Sequence, residues 1–106
     1  MYDKLFLGVI LLAIAFEVAA DILFKKWSLD GRNTLLLIGI GLYTIGTIGW
    51  AFSLKFESLS KAVSVFMVLN LIAVILAGYF IFKEEVSLVN GAGIILGVVS
   101  VVLMGL

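Results

Sequence analysis

The sequence predicts an all-α integral membrane protein with four transmembrane helices. Two observations carry that reading. The 106 residues are 64% hydrophobic and only 13% charged, whereas a soluble domain is near half apolar and a quarter charged. The apolar residues also fall into four blocks of about 20, separated by short polar links. A chain this small cannot hide that much apolar surface within itself and needs lipid to cover it. About 20 helical residues at 1.5 Å each cross a hydrocarbon core of ~30 Å. Backbone groups in lipid must pair internally, so an open chain spans as helix.

The first span covers residues 5–24 and ends at Lys25-Lys26-Trp27. It follows Lys4 and contains small residues, as a signal peptide does. However, it holds Glu17 and Asp21, and its Ala19-Ala20 pair makes no convincing small-x-small cleavage site, so it reads as a retained helix. The link from Ser28 to Asn33 is polar, with Gly31 for the turn. The second span covers 34–54, the third 62–82 and the fourth 87–106, within one membrane domain. Asn33, Ser60 and Ser87 are the expected N-caps. Trp27, Trp50 and Tyr2 lie near span ends, where interfacial anchoring accounts for them.

Four spans return the chain to its starting side. Lys4, Lys55 and Lys61 fall on the side of the termini; Lys25, Lys26, Arg32 and Lys83 fall on the other. Three against four gives almost no preferred orientation. Either a few residues set a weak bias, or the chain inserts both ways and pairs antiparallel.

The charges that matter are the few inside the spans. Glu17 is eight residues from Lys25, roughly 12 Å of helix, too deep to reach the headgroups. Carboxyls at that depth usually face an internal cavity and mark an ion or proton pathway; the alternative is a helix–helix hydrogen bond. A low-dielectric surrounding disfavours an ionised carboxylate and a bound cation favours it, so one group can trade a proton for a cation. Asp21 and Lys25 follow at successive turns on the same face. Asp21 reads either as the partner of Lys25 in a structural ion pair or as a second acid on a cation path. Tyr43 offers a hydroxyl and an aromatic face in mid-span, for a cation, for Glu17 or for packing. In the third span Ser64 and Asn70 are polar, and Asn70 needs either an interhelical partner or a cavity to line. Phe66 walls that cavity or packs. Gly39, Gly41, Gly46 and Gly49 in span two, and Gly93, Gly97 and Ser100 in span four, offer small faces for close helix approach. The apolar span four suits a dimer contact.

The composition excludes much. Without Cys or His there is no disulfide, thiol or imidazole chemistry and no usual transition-metal site. No metal or cofactor is expected. A net charge of zero, without a basic run, gives no footprint for nucleic acid. One deep carboxyl with no nucleophile–base pair makes no catalytic set, so an enzyme is not expected.

Over nearly its whole length the chain resembles the small multidrug resistance family of the drug/metabolite transporter superfamily. The segment from Phe16-Glu17-Val18 to Phe24-Lys25 is similar to that family's first-helix pattern of a Glu followed eight residues later by a Lys. Arg32, Tyr43, Phe80 to Glu85, and Gly93 to Ser100 fall at similar family positions. The resemblance implies an antiparallel, dual-topology homodimer in a prokaryotic inner membrane, with both copies of the Glu forming one site shared by protons and a cationic substrate. The family's third-helix aromatic box is replaced by Val63 and Phe66, and its bending glycines by Val68 and Asn70. The run from Val68 to Glu84 also resembles the lipid-carrier flippase subunits of the same superfamily, which generally lack the first-helix Glu.

The leading expectation is therefore a proton-coupled exporter of small cationic or amphipathic compounds. Glu17 is its shared carboxyl, Tyr43, Ser64, Phe66 and Asn70 line the cavity, and Gly93, Gly97 and Ser100 form the dimer face. The alternatives are a flippase subunit or one half of a heteromeric pair, and a non-transporting membrane scaffold.

Overall fold

The computed structural model describes residues 2–106. Four helices follow one another: α1 Lys4–Asp30, α2 Asn33–Ser53, α3 Leu59–Phe82 and α4 Leu88–Gly105. Each is long and apolar enough to cross a membrane, and there is no strand among the described residues.

The ends of the helices show where local chemistry differs from the expected boundaries. The Asp3 carboxylate accepts from the Leu5 amide at 2.7 Å and starts α1. At its far end α1 runs six residues past Phe24, because nothing in Lys25–Asp30 breaks a helix. It stops at Gly31, whose left-handed φ of 73° suits a residue without Cβ, and whose amide donates to the Trp27 carbonyl. Asn33 is not a cap. It begins α2 itself and accepts from the Trp27 indole at 3.3 Å. Ser58 rather than Ser60 precedes α3, and Ser60 lies within the first helical turn. Ser87 caps α4 as expected, accepting from the Asn90 amide at 3.1 Å.

The helices pack as an open row, α2–α1–α3–α4, with α1 between α2 and α3. The whole is thin, 44 × 34 × 17 Å. The α1–α2 seam is built on small residues. A Cβ on Gly39 would lie 2.6 Å from the Phe24 ring, one on Gly46 2.7 Å from Glu17 Cγ, and one on Gly49 3.3 Å from Ala13 Cβ. Helices in lipid gain little from hydrophobicity and associate by close packing, which such faces permit.

The core lies toward one end of the row. Phe6, Ile10 and Ile14 of α1 bury against Ala62 and Val65 of α3, with Trp50 of α2, Leu54 just past its end and Val101 of α4 around them. Trp50 and Phe66 rings meet at 4.9 Å. The Tyr2 hydroxyl donates to the Val101 carbonyl at 2.6 Å, tying the start of the chain to α4. This end is the side of the termini and the α2–α3 link. No residue of α4 is buried. Its large apolar side chains, such as Leu88 and Val89, face outward as a lipid surface does.

Candidate functional site

The acidic residues of α1 part company. Glu17 is buried, at 7% exposure, in the α1–α2 seam, where the missing side chain of Gly46 leaves room for its Cγ. Asp21 and Lys25, one and two turns further on, face the other neighbour. With Val18 and Ile22 they form one wall of a cleft whose other wall is Val74, Ala77, Gly78 and Phe82 of α3, closed by Glu84. The cleft holds about 170 Å³. It opens where α1 and α3 separate, at the end opposite the core.

Glu84 enters the cleft through a special turn. Lys83 adopts a left-handed φ of 56°, and the Glu84 amide donates to the Gly78 carbonyl at 3.0 Å. The carboxylate then folds against Gly78, where any Cβ would collide with it. Sequence reasoning passes over Glu84 because it sits in a loop. Its only signal is a glycine six residues earlier. The Asp21–Lys25 ion pair is not formed; among the described residues the ion pair is Arg32–Asp30, at 3.7 Å.

The remaining residues are dispersed. Tyr43 is half exposed on α2, its ring 6.4 Å from that of Phe24 rather than engaged with Glu17. The Ser64 hydroxyl donates to the Ser60 carbonyl of its own helix at 2.8 Å. Phe66 belongs to the packing around the core. Asn70 is partly buried, and its Oδ1 is shielded without a hydrogen-bond partner. In α4, a Cβ on Gly97 would lie 3.3 Å from Val68 Cγ2 of α3, whereas Gly93 faces open space and Ser100 is exposed. Thus the structure gathers Asp21, Lys25 and Glu84, and holds Glu17 in a separate interhelical niche. No cluster of residues suited to a metal is found among the described residues.

One curated protein matches along almost the whole chain. It is the "Probable 4-amino-4-deoxy-L-arabinose-phosphoundecaprenol flippase subunit ArnE" of Hamiltonella defensa subsp. Acyrthosiphon pisum (strain 5AT), 34% identical over 104 residues, 95% of this chain and 93% of that protein. This chain belongs to the small multidrug resistance family. No family model matches it, and no solved structure does. Membership and the four spanning helices make it an integral membrane protein of the transporter type, in a bacterial inner membrane. The likeness favours the lipid-carrier alternative over the cation-antiport reading drawn from Glu17.

Proposed function

We propose that the chain is one subunit of a transporter that moves a lipid-linked polar compound, of the polyprenyl-phosphate amino-sugar class, between membrane leaflets. The observation that carries this reading is the 34% identity to a flippase subunit over 95% of the chain. Two features of the fold support it. The cleft is charged at its membrane-face end and apolar along its walls, which suits an amphipath that keeps its tail in lipid. The row is thin and open, so a second chain, a copy or a paralogue, is needed to enclose a polar passage.

The test uses cells, where native partners are present. Outer-leaflet exposure of the amino-sugar lipid is read with a membrane-impermeant amine reagent, with and without the gene. The expected result is a several-fold loss of labelled lipid, restored by the gene in trans. Unchanged labelling in cells that still make the lipid would count against the reading.

A second reading, proton-coupled export of a cation, is supported by the burial of Glu17. Its test is proton release from purified protein on adding quaternary ammoniums, guanidiniums or polyamines, wild type beside Glu17→Gln. Release lost in the variant supports exchange at Glu17. No release from folded wild type removes this reading and leaves the first.

A further inference from the structure

We propose that the α1–α3 cleft is a headgroup site for an amphipath carrying a phosphate beside a primary ammonium. Lys25 takes the phosphate, and the Asp21 and Glu84 carboxylates take the ammonium.

Four observations lead there. The cleft holds both signs of charge, one ammonium and two carboxylates, and Lys25 is in ion-pair contact with neither carboxylate. Charges that line one cleft without pairing, with Asp21 half-buried and Lys25 and Glu84 exposed, are open to a ligand of complementary pattern. The level is right: Lys25 ends the apolar part of α1 and Phe82 ends α3, so the charges stand at headgroup depth. Val18, Ile22, Val74 and Ala77 continue the walls inward, where a hydrocarbon chain runs. The size is selective. At about 170 Å³ the cleft is below the ~300 Å³ at which pockets for drug-sized ligands begin, so it admits a headgroup while the tail stays in the bilayer. Finally, Glu84 is turned by the left-handed Lys83 and seated on Gly78, an arrangement that makes a loop carboxylate line the same cleft as Asp21 while it stays exposed at the cleft mouth.

Two sources offer this chemistry: bulk phosphatidylethanolamine, and the lipid-linked compound of the proposed function. The inference deepens that reading, but its test is cell-free and reads binding alone. A failed surface-display experiment and a failed binding experiment are therefore distinguishable.

The experiment is lipid retention by the purified full chain in native mass spectrometry, against phosphatidylethanolamine, phosphatidylcholine and phosphatidylglycerol of matched acyl chains. A primary ammonium donates three hydrogen bonds and a trimethylammonium none. Hydrogen bonds to charged groups imply a preference of about tenfold for phosphatidylethanolamine over both others. Asp21→Asn combined with Glu84→Gln removes that preference, Lys25→Gln weakens retention of all three, and Lys61→Gln changes nothing. Gly78→Ala keeps every charge but displaces the Glu84 carboxylate, so it lowers the preference even if the double variant does not fold. Equal retention of the three lipids by wild-type protein overturns the proposal and needs no variant. So does an undiminished preference in a folded double variant. Adding a short-chain polyprenyl-phosphate amino sugar then identifies the source. Displacement of phosphatidylethanolamine assigns the site to transported substrate; co-retention of both assigns it to a resident lipid.

Discussion

The α1–α2 seam should fail at one particular methyl group. In Gly46→Ala the new Cβ would stand 2.7 Å from Glu17 Cγ, 3.0 Å from the Ala13 carbonyl oxygen and 3.3 Å from Phe16 Cβ. The Glu17 side chain can turn away, but the Ala13 oxygen is backbone and moves only with the helix. The seam must open by several tenths of an ångström along its length, which also loosens Ala13 against Gly49. Overpacking of this kind costs about 1–3 kcal/mol. Alanine for glycine within a helix returns roughly 0.5–1 kcal/mol. A net loss of roughly 0–2.5 kcal/mol, centred near 1, is expected. Gly41→Ala is the matched control, since nothing lies within 4 Å of its added Cβ; it should gain roughly 0.5–1 kcal/mol. The assay is reversible unfolding in mixed micelles, followed by circular dichroism, with carbodiimide labelling of Glu17 as a second readout. Gly46→Ala should be the less stable of the two and label faster. Equal stability of the two variants would refute the packing of Glu17 over Gly46.

Other outcomes follow from single contacts. Tyr2→Phe removes the hydrogen bond to the Val101 carbonyl and should cost about 1 kcal/mol, read in the same unfolding assay. Partial burial and the Glu57 carboxylate push the Tyr2 phenol above its ordinary value of 10.0. Its contribution is therefore complete below pH ~10 and is lost as the pH rises through the folded value; a titration of stability should show this alkaline loss in wild type and not in Tyr2→Phe. Ser87→Ala should cost about 1 kcal/mol by uncapping α4, and hydrogen exchange at residues 88–91 should rise while α1 is unchanged. Asn70→Leu should raise stability by roughly 1 kcal/mol, because a shielded oxygen without a partner is lost; a clear drop in thermal stability would show that Asn70 has a partner in the folded protein.

The spans were legible because lipid leaves the backbone no other solution, and the polar links separate them without ambiguity. Ser87 was legible for the same local reason: a hydroxyl just ahead of an apolar run finds an orphan amide. The division of labour within α1 was not. Residues four apart differ by about 40° around a helix, so Glu17 and Asp21 look like one face in the sequence. With a neighbour on each side of α1, that rotation is enough to send Glu17 to α2 and Asp21 to the cleft facing α3. Which helix neighbours which depends on pairwise packing, and no residue states it alone. Glu84 was hidden for another reason: its position is set by the left-handed Lys83 and by the absent side chain of Gly78, both outside any charge pattern. Glu17 and the family resemblance point to antiport chemistry, whereas the relative that is 34% identical over 95% of the chain is a lipid-carrier flippase subunit.

The core at the closed end has a consequence for what this protein can hold back. Phe6, Ile10, Ile14, Ala62 and Val65 meet there with almost no polar atoms between them. In water such a cluster would resist separation strongly; in a bilayer, acyl chains are as apolar as the side chains, and only the fit between surfaces opposes parting them. The closure is therefore a filter by chemistry. An ion or a bare sugar would meet an oily barrier there, whereas an acyl chain would meet surfaces as apolar as its own.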